Sequence, residues 1–374
     1  MDNLTHSFVG LAAAKAGLER VSPYATVVCV LAANVPDADV VTLAGGSLTY
    51  LKHHRGITHS IVGTLVLGLA LPLLFVAAER LVARARGVEP RSRLRGLVLV
   101  SLLVTASHPL LDWTNSYGLR PFLPWSGRWY YGDLVFVIDP WIWLALGAAC
   151  FLLTATTVWR VALWTLLALA VAAAVLLLTR DGGLEIPLAA RVLWLGGLAA
   201  VVYAYRARVG ERRGAAVARA ALAAVVVYWG ALAGLHSRAS VQAETFAREL
   251  AATGGETVQE VAAMPAPMNP LAWACVAETE RATYRYEVRL AGGGARLLSR
   301  FEKPRGADAL AVERAAREPR AVVLLDFARF PVAQVRPGPA GLSLVRITDV
   351  RFGEPAEGDG GGGNFSVEIP VSAR

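Results

Sequence analysis

The sequence predicts an all-α polytopic membrane helix bundle over residues 1–239, followed by a soluble α+β domain over 240–374. Three observations predict it. Apolar residues make up 55% of the chain against 18% charged, and mean hydropathy is +0.46, well above an ordinary soluble domain. Six apolar runs, near 61–78, 96–111, 135–158, 161–178, 189–205 and 216–235, approach or reach the roughly 20 residues that a spanning helix needs. The charge is also split. Residues 1–239 carry 21 Lys+Arg and 12 Asp+Glu, whereas 240–374 carry 16 and 17, so the apolar part accounts for all of the +8 surplus. A basic surplus in an apolar region fits cytoplasmic loops rather than a nucleic-acid surface.

Taken in order, segments 4–18 and 22–36 are shorter, and read as short or tilted spans or as helices packed in the bundle. Residues 1–20 carry Asp2, His6, Lys15, Glu19 and Arg20, so no cleavable signal peptide is expected. The link after 61–78 holds Arg80, Arg84, Arg86, Arg91, Arg93 and Arg95, and a second cluster, Arg206, Arg208, Arg212, Arg213 and Arg219, separates the last two runs. The positive-inside rule places both in the cytoplasm. If all eight helices cross, Lys15, Arg20 and Arg160 fall on that side too. Residues 112–134 read as a polar, aromatic outer loop and 179–188 as a second one. Asp139, just before Pro140, reads as a helix cap; Asp133 is given no role.

From 240 the composition is that of a soluble module. A helix is expected over 241–252, a rigid turn at 265–270, and strands at 272–279, 283–290, 321–327, 343–351 and 365–371. A helix near 307–317 interrupts them, and the glycine run at 358–363 reads as a flexible loop. This tail has no histidine, so substrate contacts or a cover are expected of it rather than metal ligands. Cys29, Cys150 and Cys275 are odd in number and far apart, which excludes a disulfide framework and a cysteine zinc site.

The chemistry centres on Lys52–Gly63, which holds His53, His54 and His59. Thr5–Gly10 (T-H-S-F-V-G) repeats Thr58–Gly63 (T-H-S-I-V-G) at five of six positions. The first copy leads to Asp37 and Asp39, the second to His108 and Asp112. On the arginine topology His6, Asp37, Asp39, His59, His108 and Asp112 all arrive at the outer face. His108 and Asp112 are four apart and share a helix face, although Pro109 between them must be accommodated. His54 lies on the loop before the Gly56 turn, and His59 enters the helix, with Thr58 or Ser60 as its cap and Thr5 or Ser7 as the matching cap on the first helix. Histidine with carboxylate, and no thiolate, suits a divalent metal used for hydrolysis: zinc first, manganese or iron as alternatives. Asp39 is the candidate general base, and Arg55 the candidate for pairing with a carboxylate or neutralising a phosphate. His53 and His236 are left out of the site. Gly10 and Gly63, each four residues after a histidine, are expected to let the two hairpins pack so that His6 and His59 face a common centre.

With these residues in view, the sequence resembles the YdjM-like family of LexA-regulated, membrane-bound metal-dependent hydrolases. T-H-S-x-x-G at 5–10, P-D-A-D at 36–39, H-R-G-I-T-H-S at 54–60, H-P-L-L-D-W at 108–113 and N-S-Y-G at 115–118 carry the resemblance, which covers about residues 1–160. The family is similar in turn to zinc-dependent phospholipases C and zinc-dependent single-strand nucleases. The resemblance implies metal roles for His6, Asp37, His59, His108 and Asp112; the residue pattern adds His54. Those soluble relatives also use an N-terminal tryptophan amine, whereas this chain starts Met1-Asp2, so one or two ions are expected. The expectation is a metal-dependent hydrolase of the inner membrane, with its site and C-terminal domain extracytoplasmic. Its expected substrate is a phosphoester of a lipid or envelope component, and its partner a membrane lipid rather than nucleic acid. The alternatives are a non-catalytic metal-binding or transport protein, and a scaffold acting through the tail. The near-absence of charge in the middle of the spans disfavours a transporter.

Overall fold

The structure is a computed structural model that describes residues 1–177, 186–355 and 365–372. The outer loop read over 179–188 lies outside the described residues up to position 185, and the glycine run at 358–363 lies outside them throughout. The chain divides into two compact units. One comprises Met1–Ala38, Arg55–Gly234 and Pro265–Pro270; the other comprises Asp39–His54, Leu235–Met264 and Leu271–Arg374.

The first unit is helical. Helix α1 (Asn3–Ala16) is capped by Asp2, whose carboxylate accepts from the Thr5 amide at 3.0 Å and the Thr5 hydroxyl at 2.7 Å. The cap expected from Thr5 or Ser7 falls to Asp2 because the helix starts ahead of both. Helix α2 (Ala25–Asn34) packs on α1 and runs into a 3-10 segment, Val35–Gly45. After the short helix α3 (Ser47–His53) come α4 (Ile61–Arg86) and α5 (Leu94–Trp113), which pack on each other, and α5 also packs on α2. Their shared core is small and aliphatic: Val28, Cys29 and Ala32 meet Val76, Leu97, Val100 and Val104. Gly10 makes the α1–α2 approach possible, since a Cβ there would lie 2.6 Å from the Cys29 carbonyl oxygen. Gly63 serves a different contact from the one expected, because a Cβ there would collide with the Ile57 carbonyl of its own N-terminal turn. Helices α6 (Pro140–Thr154), α7 (Val158–Leu177), α8 (Leu188–Arg206), α9 (Val209–Arg213) and α10 (Ala215–Gly254) follow. Asp139 caps α6, accepting from the amides of Trp141 and Ile142.

Among the described residues six helices are long and apolar enough to cross a membrane: Ala25–Gly45, Ile61–Arg86, Leu94–Trp113, α7, α8 and α10. Leu74, Leu166, Leu193 and Val227 stand strongly exposed on them, as lipid-facing side chains do. The set differs from the sequence reading at two places. The run at 135–158 gives a helix of only 15 residues, because Asp139-Pro140 starts it late and it stops at Thr154. The segment read over 22–36 reaches span length only through its 3-10 extension.

In the second unit two antiparallel sheets form. Strands β1 (Val258–Ala266), β2 (Asn269–Thr279), β3 (Ala282–Arg289) and β4 (Gly294–Glu302) make one sheet in that order. Strands β5 (Pro331–Pro337), β6 (Leu342–Asp349) and β7 (Ser366–Ser372) make the other. Trp273, Tyr286 and Val288 bury the first sheet against Ala239, Ala243 and Ala247 of α10. Helices α11 (Ala307–Ala315) and α12 (Pro319–Phe327) join the sheets. The strand expected at 321–327 is therefore a helix. Pro319 at its first turn and burial of Ala321, Leu324 and Phe327 at threefold spacing show the helical face that a short apolar run conceals. Strands β1, β4 and β5 escaped the sequence reading. The helices read at 216–235 and 241–252 are one, since nothing between them breaks a helix.

Candidate metal centre

Two 3-10 segments and one helix face bring the site together in the first unit. Asp37 sits on the 3-10 segment that follows α2. His59 closes a 3-10 turn, Ile57–His59, and Ser60 then caps α4 by accepting from the Gly63 amide at 3.0 Å. His108 and Asp112 lie one turn apart on α5, which stays helical through Pro109. His59, His108 and Asp112 are at most 1% exposed and Asp37 is 13% exposed, so Asp37 is the vertex nearest water.

The four side chains form a small polyhedron. His59 Nε2 lies 3.1 Å from His108 Nε2, 3.3 Å from Asp37 Oδ1 and 3.2 Å from Asp112 Oδ2. His108 Nε2 lies 3.5 Å from Asp37 Oδ1 and 3.3 Å from Asp112 Oδ2. Ligands about 2.0–2.1 Å from a tetrahedral zinc are separated by about 3.3–3.4 Å, so these five edges match a tetrahedron around one ion. The hydrogen bonds outside the polyhedron agree. His108 Nδ1 lies 2.6 Å from the Ala33 carbonyl, which accepts its proton and turns the Nε2 lone pair inward. Thr58 Oγ1 lies 2.9 Å from His59 Nδ1 in the matching position. Asp112 Oδ2, although buried, has no hydrogen-bond partner. Lone pairs and carboxylate oxygens turned toward one point, with an orphaned oxygen among them, are the arrangement a cation relieves. A divalent metal fits.

Beside this tetrad, His6 stacks on His108 with ring centroids 3.7 Å apart and puts Nε2 3.4 Å from Asp112 Oδ1. Neither His6 ring nitrogen has a hydrogen-bond partner, though both are buried. Arg55, 3% exposed and in a left-handed backbone conformation, places Nη2 3.0 Å from the same Asp112 Oδ1. The Met1 amine pairs with that oxygen as well. Arg55 also donates to Asn115 Oδ1 at 2.9 Å and the Gly118 carbonyl at 3.3 Å, and its guanidinium lies over the Tyr117 ring. It braces the loop after α5 against the tetrad.

Comparison with known proteins finds similarity over this region. Residues 1–181 match the family model described as "YdjM inner membrane protein". Over that stretch the chain is similar to this family. The chain is also 28% identical over 159 residues to the protein named "Uncharacterized protein YfhP" of Bacillus subtilis (strain 168); the alignment covers 40% of this chain and 45% of that protein, so the chain spans about half of its curated relative's length. No solved structure matches the chain.

Of the residues singled out in the sequence, the first unit brings Asp37, His59, His108 and Asp112 into one tetrad, with His6 and Arg55 against Asp112. Asp39 and His54 belong to the other unit, where His54 Nδ1 lies 3.1 Å from Asp39 Oδ1 and the His54 ring stacks on Tyr50. His53 is exposed, and His236 lies against Trp273. Sequence reasoning missed the supports. Asn3 donates to Asp37 Oδ2 at 2.9 Å, Thr58 and the Ala33 carbonyl hold the histidines, and Asn115 takes Arg55. The N-S-Y-G motif at 115–118 contained a signal for the last of these.

Proposed function

We propose that the protein is a membrane-bound metal-dependent hydrolase, zinc being the first choice of ion, acting on a phosphoester of a lipid or envelope component at the outer membrane–water interface. The observation that carries the reading is the spacing of the Asp37, His59, His108 and Asp112 ligand atoms. An ion held there supplies Lewis-acid polarisation of a phosphoryl oxygen and an acidified water. The protein's own residues do the rest. His59 and His108 are held with Nε2 inward, Asn3 holds Asp37 at the solvent side where a substrate would enter, and Arg55 fixes the Asp112 carboxylate. Arg55 is thus a positioning residue in this reading.

The outer-face placement rests on the arginines. Keeping Arg80–Arg95 and Arg206–Arg219 on one side requires an even number of crossings between them. Helices α5, α7 and α8 make three, so α6 supplies the fourth as a short span of about 22 Å at 1.5 Å per residue. Metal analysis of the purified chain, with hydrolysis of phosphodiester and phosphomonoester lipids by wild type and Asp112→Asn, tests the proposal. Activity that follows metal content supports it; metal without activity on any phosphoester moves the protein to a binding or transport role.

A further inference from the structure

The second unit holds a cleft of about 880 Å³ that has nothing to do with the histidines. Its walls come from both sheets and from the link between β4 and α11. Six cations line it, Arg281, Arg300, Lys303, Arg305, Arg336 and Arg346, against three carboxylates, Glu256, Glu302 and Asp308. Four of the six are held in place. Arg300 pairs with Glu256 at 3.2 Å and with Glu302, Lys303 pairs with Glu278 at 2.6 Å, and Arg336 and Arg346 share Glu368 at 2.7 and 3.0 Å. Glu278 and Glu368 do not line the cleft, so they fix three of its cations from outside without filling it.

Two cations are left over. Arg281 and Arg305 are exposed and have no ion-pair partner among the described residues. Glu280, next to Arg281 in sequence, is engaged by the Thr257 amide at 2.8 Å and by the Thr257 hydroxyl. Arg305 stands at the start of α11, a nine-residue helix whose N-cap, Gly306, offers no side chain to the first-turn amides. Uncapped helix amides beside two unpaired guanidiniums, in a concave site, are the donors an oxyanion uses. The volume is that of a small-molecule pocket, and far more than one phosphate needs.

We infer that this cleft binds an anion bearing two or more phosphate groups, held by Arg281, Arg305 and the first turn of α11, with the remaining cations as preset walls. The ligand comes either free in solution or as the headgroup of an anionic lipid, and the chemistry of recognition is the same. The inference does not depend on the metal centre.

The test uses the full chain in nanodiscs of zwitterionic lipid, with a chelator present so that the metal centre contributes nothing. Titration with inorganic tripolyphosphate at physiological salt is followed by calorimetry. One saturable event per chain is expected. Arg281→Glu with Arg305→Glu should weaken it at least about tenfold, because two charge-assisted contacts become repulsions. Asp308→Asn should tighten it about two- to threefold by removing the carboxylate beside the same amides. A parallel series in nanodiscs containing cardiolipin, whose headgroup carries two phosphates, separates the sources, with phosphatidylglycerol discs of equal surface charge as the control: a weaker apparent affinity in cardiolipin than in phosphatidylglycerol marks the lipid headgroup as occupant, and an equal one marks a soluble ligand. Absence of saturable binding to wild type, or equal binding by the double variant, overturns the inference; the opposite response expected of Asp308→Asn guards against a double variant that merely misfolds.

Discussion

His59→Ala removes the vertex that touches every other member of the tetrad, at 3.1 Å from His108, 3.3 Å from Asp37 and 3.2 Å from Asp112. The effect divides into two parts. Truncating a buried imidazole leaves a cavity whose cost is the same with and without metal. The second part exists only when metal is present. A ligand at 100 times its dissociation constant stabilises the folded state by about 2.7 kcal/mol. Changes to residues that merely orient a ligand already lower metal affinity about 10–100-fold, so loss of a vertex should lower it by about 100-fold or more. At the same free zinc the variant would then retain about 0.4 kcal/mol of metal stabilisation or less. The assay is thermal unfolding of wild type and variant, each with chelator and with buffered free zinc. Wild type should gain several degrees from zinc and His59→Ala almost none, while His53→Ala, altering an exposed neighbour, should behave as wild type. Equal zinc-dependent gains in wild type and His59→Ala would sink the tetrad as a metal site.

Further outcomes are open to measurement. Gly63→Ala should cost about 1–3 kcal/mol and reduce bound metal, because the new methyl strikes the Ile57 carbonyl of the turn that carries His59; normal metal content at normal stability would contradict this. Reporter fusions at Gly87, Thr156 and Gly210 should read cytoplasmic and one at Gly118 external, and an external signal at Thr156 would show that α6 does not cross.

Much of the bundle was legible because lipid exposure demands long apolar helices, and their signal is additive along the chain. Where helix ends matter the signal fades. The run at 135–158 looked like a full span because apolar composition continues on both sides of an Asp-Pro start and an Ala155 stop. In the second unit strands were readable at β2, β3 and β6, each with a firmly buried stretch, and at β7, whose burial alternates. Strand β4 is mostly exposed and β5 is bounded by prolines, so neither offered the alternation that marks a half-buried strand.

The site was legible for a different reason. Two copies of T-H-S-x-x-G invite the idea of equivalent histidines, yet the fold uses them differently. The second copy begins in a 3-10 turn, which points His59 into the tetrad before α4 starts at Ile61. The first copy lies wholly inside α1, because Asp2 caps the helix three residues earlier than Thr5 would, and His6 is thereby carried to the other oxygen of Asp112. The repeat specifies residue types, while the cap position decides what each histidine reaches. Asp112 is consequently the shared member: one carboxylate oxygen faces His59 and His108, and the other faces His6, Arg55 and the Met1 amine. Only the three-dimensional arrangement distinguishes that carboxylate from Asp37, whose partners are a single asparagine and the two tetrad histidines, and which keeps the solvent side of the site.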